Sequence, residues 1–133
     1  VTAARRLDAL LSPRTVAVIG ASPDLHIFRG RTLKVMLGHA FAGRIYPVSR
    51  SHAEVQGLRA YPSVAAIPDK IDLALLIIPA EFVPDELERC AAAGVTAAMI
   101  ISSGFAEART AAGEALQARV VEIAARTGMI VCG

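Results

Sequence analysis

The stretch from Thr15 to Gly30 constrains this chain more than any other. Thr15-Val16-Ala17-Val18-Ile19 is an unbroken, largely β-branched run that stops at Gly20-Ala21-Ser22. A polar, proline-marked loop follows, Pro23-Asp24-Leu25-His26-Ile27-Phe28-Arg29, and then Gly30 opens an amphipathic segment. A strand apolar on both faces belongs in the middle of a parallel sheet. A strand that ends at a glycine and re-emerges as a helix is the first βα turn of a nucleotide-binding sheet. Such a turn offers backbone N–H groups and the positive end of a helix dipole to a phosphate. The dinucleotide fingerprint G-x-G-x-x-G is nevertheless absent, because Ser22 stands at the second glycine position and the next glycine is Gly30.

The remaining chain repeats the same alternation. Ala3, Leu7, Leu10 and Leu11 recur at helical spacing, giving a leading helix within residues 1–12 that Ser12-Pro13 ends. After Gly30, Leu33, Met36, Leu37 and Ala40 form one face of a helix stopping near Gly43. A second strand spans Arg44 to Val48, with Pro47 suiting a strand end. Gly57-Leu58-Arg59-Ala60 reads as a short edge strand and Tyr61-Pro62-Ser63 as a turn into a brief helix. Buried strands follow at Asp72 to Ile78, Val95 to Ile101 and from Met129 onward. Between them lie a helix begun by Pro84, with Asp85 and Glu86 near its positive end and Gly94 as terminator, and a helix with Leu116, Val120 and Ile123 inward that ends at Gly128.

These elements predict one α/β domain over residues 1–133, a Rossmann-like three-layer α/β/α arrangement on a mostly parallel sheet with main-strand order 2-1-3-4-5. A composition that is 54% hydrophobic but only 5% aromatic agrees with an aliphatic core of this kind. A net charge of +2 gives no argument for nucleic acid or an anionic membrane, and no apolar run approaches a membrane span. Arg5 and Arg6 precede no apolar signal-peptide core, so the expectation is a cytoplasmic protein in which Cys90 and Cys132 are reduced, buried thiols.

Ligands in such sheets bind at the carboxyl ends of the strands, where strand order reverses. Four loops meet there: Gly20 to Gly30, Val48 to Ser51, Ile78 to Phe82, and Ser102 to Phe105. An enzyme preferring NAD places an acid after its second strand to hold the ribose 2′-hydroxyl, whereas this chain has Ser49-Arg50-Ser51 and no acid before Glu54. A cation between two hydroxyls suits a phosphorylated ribose, of NADP or of coenzyme A, and suits equally a solvated loop. Arg29 and Arg31 flank Gly30 in the same two-sided way. Ser102-Ser103-Gly104 can face the far end of a ligand but has no activating base nearby in sequence. His26, His39 and His52 are scattered, and Glu81, Asp85, Glu86 and Glu88 read as a solvated helix face. No catalytic group and no metal site is expected.

Leu10-Leu11-Ser12-Pro13-Arg14-Thr15-Val16-Ala17-Val18-Ile19-Gly20-Ala21-Ser22 resembles the opening of the CoA-binding domain of NDP-forming acyl-CoA synthetases, a group related to the α subunit of succinyl-CoA synthetase. Further matches run in register through Gly43-Arg44-Ile45-Tyr46-Pro47-Val48, Gly57-Leu58-Arg59-Ala60-Tyr61-Pro62-Ser63, Ile67-Pro68, Asp72-Leu73-Ala74, Pro79-Ala80, Gly94-Val95 and Ser103-Gly104-Phe105-Ala106-Glu107. The resemblance implies that Gly20, Ala21 and Ser22 cradle CoA phosphates. It implies also that Ile78, Pro79, Ala80, Ile101, Ser102 and Ser103 line the path of the pantetheine arm. At Ser49-Arg50-Ser51 the chain departs from the family's Asn-Pro-Lys-like segment, so Arg50 either replaces that lysine or the 3′-phosphate contact is weaker.

The resembled enzymes join a carboxylic acid to CoA through an acyl phosphate and a phosphohistidine carried by the following domain, so no histidine here inherits that role. Gly133 falls where the family's Gly-Pro-Asn-Cys-like turn would begin, and the expectation is a domain of a longer synthetase, not catalytic alone. The alternatives are an NADP-binding oxidoreductase module and the CoA-binding domain of a protein acetyltransferase or regulatory protein.

Overall fold

The computed structural model describes residues 9–38, 43–102 and 109–132, without the side chains of 28, 29 and 36–38. Of the leading helix, residues 9–11 are helical, Ser12 is a bend after them and residues 1–8 lie outside the described residues, as do His39, Ala40, Ser103 and Gly104. Strands β1 (Thr15–Ile19), β2 (Arg44–Val48), β5 (Leu73–Leu76), β6 (Ala97–Ile100) and β7 (Ile130–Cys132) form one sheet in the order β2-β1-β5-β6-β7. All four of its pairings are parallel. This is the Rossmann-like sheet and the strand order that the sequence predicts.

Alternation along β1 divides the core. Val16 and Val18 face one side with Leu73, Leu75 and Leu33 of helix α1 (Phe28–Gly38). Ala17 and Ile19 face the other, against Leu87 and Cys90 of α2 (Val83–Ala92) and Val120 and Ile123 of α3 (Ala111–Thr127). Two apolar faces covered by helices make three layers. Burial on both faces explains why β1 and β5 carry no polar alternation.

The helix ends obey local chemistry. Pro84 sits at the start of α2 with Asp85 and Glu86 in its first turn, and Gly94 follows it at a positive φ of 87°. Thr110 caps α3 by accepting from the Gly113 N–H at 2.9 Å, and Gly128 closes it in the left-handed conformation. Two ion pairs fasten α3 to α2: Arg119 to Asp85 at 3.2 Å and Arg126 to Glu88.

Four expectations change. Helix α1 begins at Phe28, so Gly30 lies inside its first turn and not ahead of it. The short strand expected at Gly57 to Ala60 forms as Leu58–Arg59 (β4), but it pairs antiparallel with Glu54–Val55 (β3) in a separate hairpin and not in the main sheet. That hairpin joins the edge of β2 through Tyr61, which exchanges backbone hydrogen bonds with Pro47 and Ser49 at 3.0 and 2.9 Å. Cys132 is exposed, whereas Cys90 is buried and its thiol is pushed up to about 12 by burial. Glu86 is also buried, at 8% exposure, so the acidic face of α2 is not wholly solvated.

The Tyr46 hydroxyl donates to Asp69 Oδ2 at 2.7 Å, tying β2 to the loop that enters β5. This bond raises the Tyr46 phenol and holds the Asp69 carboxyl below its ordinary value. A lowered carboxyl adds stability above its unfolded pKa and loses it as pH falls through the folded one. The melting temperature should therefore fall below about pH 4, and less steeply in Tyr46→Phe. Thermal melts of both proteins across pH 2 to 6 would contradict this if the acid slopes coincide.

Candidate functional site

The chain reverses its direction of winding between β1 and β5, and a cleft of about 580 Å³ opens there at the carboxyl ends of the strands. Ile19, Gly20, Val48 and Ile78 come from the strand ends themselves. Ala21 and Ser22 come from the turn after β1, and Ser49, Arg50, Ser51 and His52 from the loop after β2. Pro62 and Ser63 add to that side, while Pro79, Phe82, Asp85, Glu86 and Arg89 come from the segment after β5 and the start of α2.

Two glycines shape the turn after β1 and the loop that leads into α1. Gly20 has φ +89°, and a Cβ there would stand 2.3 Å from the Ile77 carbonyl oxygen. The chain can therefore leave β1 only through glycine, in tight contact with the end of β5. Gly30 serves packing: a Cβ would stand 1.9 Å from the Asp24 carbonyl oxygen. The loop thus lies directly on the first turn of α1, and Gly30 stands behind it, outside the lining of the cleft.

Within the loop, Asp24 N–H donates to Ser22 Oγ at 3.1 Å and His26 N–H to Asp24 Oδ1 at 2.9 Å. These bonds use Ser22 Oγ as an acceptor and leave its proton available to donate. From outside the loop, the Gln56 side-chain amide donates to the Ser22 and Gly30 carbonyls at 3.0 and 2.8 Å.

Opposite the turn, the loop after β2 is rich in hydroxyls. His52 Nδ1 lies 3.4 Å from Ser49 Oγ and 3.2 Å from Ser51 Oγ, and the His52 N–H donates to Ser49 Oγ. Arg50 is exposed beside them. On α2, Glu86 accepts from Arg89 at 2.9 Å, and Phe82 stands at the lip, 56% exposed. Among the described residues no group of three His, Cys, Asp or Glu could hold a metal ion.

The structure brings together Gly20, Ala21, Ser22, Ser49, Arg50, Ser51, Ile78 and Pro79. Ala80 is buried in the core, and Ile101 and Ser102 are half-buried beyond β6, outside that lining. Arg29 lies in the first turn of α1 and Arg31 is exposed. Phe82 closes the Ile78 to Phe82 loop expected at the cleft, whereas sequence reasoning missed His52, Pro62, Ser63, Asp85, Glu86 and Arg89. A helix that follows a parallel strand starts at the carboxyl edge of the sheet, so first-turn residues of α2 were bound to flank the cleft.

A parallel sheet with a phosphate-type turn at its switch point defines a nucleotide-binding domain. A family model described as "CoA binding domain" matches residues 14–133, and the chain belongs to that family. It is 38% identical over 131 residues to the α subunit of ADP-forming acetate–CoA ligase I of Pyrococcus furiosus, covering 96% of this chain and 28% of that protein. It is 40% identical over 129 residues to a trans-feruloyl-CoA synthase from an unknown prokaryotic organism, covering 97% of this chain and 18% of that protein.

Among solved structures, the dinucleotide-forming acetyl-coenzyme A synthetase 1 of Ca. Korarchaeum cryptofilum, in complex with phosphate and ADP, superposes with TM-score 0.89 at 36% identity. That match covers 97% of this chain and 27% of the other. The chain thus spans less than a third of the length of these relatives. Its ligand is coenzyme A, and the alternative reading as an NADP-binding oxidoreductase module is not favoured. Among the described residues no helix is long and apolar enough to cross a membrane.

Both glycines are testable. Gly20→Ala should cost on the order of 3 kcal/mol, from a left-handed backbone and a backbone clash together. Gly30→Ala would stabilise an unobstructed helix by about 1 kcal/mol, but here it should destabilise. Urea unfolding of the two variants decides, and a Gly30→Ala protein more stable than its parent would refute the close approach.

Proposed function

We propose that this chain holds coenzyme A for a cytoplasmic NDP-forming acyl-CoA synthetase whose remaining domains or subunits carry the chemistry. The supporting observation is the pairing across one cleft of the Gly20–Ser22 turn and the acid-free loop Ser49-Arg50-Ser51. In this reading the turn's N–H groups and the Ser22 hydroxyl receive the diphosphate. Arg50, with the Ser49 and Ser51 hydroxyls, receives the 3′-phosphate. Ile78 and Pro79, together with Ile101, Ser102, Ser103 and Gly104, guide the pantetheine arm away from the nucleotide.

The ligase reaction belongs to the larger protein. CoA held here presents its thiol to an acyl phosphate formed with groups of the other domains, and sulfur replaces phosphate on the acyl carbon. For this the cleft supplies holding groups, the Ser22, Ser49 and Ser51 hydroxyls and the Arg50 guanidinium.

Calorimetric titration with CoA, dephospho-CoA and NADP⁺ at one salt concentration tests the reading. CoA should bind saturably, and dephospho-CoA about tenfold more weakly, for loss of one charge-assisted contact. Arg50→Ala should abolish the difference between the two. Saturable NADP⁺ binding without CoA binding would sink the proposal.

A further inference from the structure

The hairpin β3–β4 turns through Gln56-Gly57, with φ of 50° and 83°. Two positive φ values in a two-residue turn are the type I′ geometry, where asparagine, aspartate or glycine is the usual first residue. Glutamine has no short side chain to bond its own backbone and so sits there at a cost. What the position gains is reach. The single Nε2 donates one N–H to the Ser22 carbonyl at 3.0 Å and the other to the Gly30 carbonyl at 2.8 Å. Those carbonyls mark the two ends of the loop between the β1 turn and the first turn of α1.

The hairpin can bear this load because Val55 is fully buried and Ala60 nearly so, in the same apolar cluster as Leu33. Its end is pinned to β2 by the backbone bonds of Tyr61. An arm from a separate sheet therefore grips the loop without lining the cleft, from whose walls Gln56 is absent.

We infer that Gln56 is a positioning residue, which sets the spacing of the loop's N–H donors for the diphosphate of CoA without touching the ligand. The inference rests on the CoA reading above. Donors held in place beforehand cost no ordering when the ligand arrives, so releasing them weakens binding. The loop serves the diphosphate, which CoA and dephospho-CoA share. Loss of Gln56 should therefore weaken both ligands by the same factor, about tenfold for two neutral hydrogen bonds. Arg50→Ala, in contrast, should weaken CoA alone.

Two variants test this. Gln56→Gly suits the positive φ and removes both bonds; Gln56→Asn also tolerates the backbone but is one methylene too short to span the carbonyls. Calorimetry with CoA and dephospho-CoA, melting temperature, and hydrogen exchange of amides 22–30 in the free protein are measured on each. The expected result is equal weakening of both ligands, faster exchange in the loop and an unchanged melting temperature. Unchanged affinity and exchange in both variants would overturn the inference. So would affinity losses that merely track a lower melting temperature. A parent protein that binds no CoA defeats the earlier reading alone, since loop exchange still reports on the strut without ligand.

Discussion

The end of β1 touches the end of β5 so closely that the rest of the site follows from it. With the Ile77 carbonyl 2.3 Å from where a Cβ of residue 20 would stand, only glycine fits, and its φ of 89° turns the chain abruptly. Pairing nevertheless continues past the strands: Ile77 N–H donates to the Ile19 carbonyl at 2.9 Å, and Gly20 N–H to the Val48 carbonyl at 3.3 Å. The sheet stays tight to its carboxyl edge while the connections leave in opposite directions. That divergence opens the cleft, and burial of Val16, Val18, Ala17 and Ile19 on both faces keeps its floor rigid.

From that fixed edge the loop after β1 must return to the sheet layer as a helix. Two devices hold it without filling the cleft. Gly30 lets the Asp24 backbone lie against α1, where any side chain would push it off. Gln56 then ties the Ser22 and Gly30 carbonyls together from outside the cleft lining. The same economy governs the start of β5: Thr15 Oγ1 donates to the Lys70 carbonyl at 2.7 Å and accepts from the Asp72 N–H at 2.9 Å. One hydroxyl, the sole polar side chain of β1, thus sets the register of the two central strands at their amino ends.

The sheet was legible because its signals are local and redundant. Five apolar runs alternate with helical spacings, and parallel pairing with right-handed crossovers leaves few orders to consider. The Gly20 turn was legible for the same reason, as a β-branched run cut short by glycine. What stayed hidden depends on distance in sequence. Gln56 is separated from Ser22 by 34 residues, and nothing in the Gln-Gly pair except a turn signal announces its grip. The helical start at Phe28 was obscured because Gly30 punctuates the sequence like a helix boundary. It is there for a steric reason that only the fold reveals. Glu86 misled in the opposite sense: its helix position reads as solvated, yet Arg89 and the cleft wall bury it.

The charge of the cleft shows why loop geometry carries so much weight. Of its two arginines, Arg89 is already paired with Glu86, and Asp85 beside them is paired with Arg119 of α3. Among the described residues Arg50 is then the cleft arginine that joins no ion pair, on a long side chain in water, where screening reduces its pull. On the proposed reading, a ligand bearing three phosphoryl groups is held there less by net charge than by other groups. Those groups are dipoles and hydroxyls that line the cleft: the turn after β1, Ser22, Ser49 and Ser51. Such donors act over short range and lose value steeply with angle and distance. A site built on them depends on the placement of its loop far more than one built on lysines and arginines, so the glycines and the strut behind the loop matter as much as the groups that face the ligand.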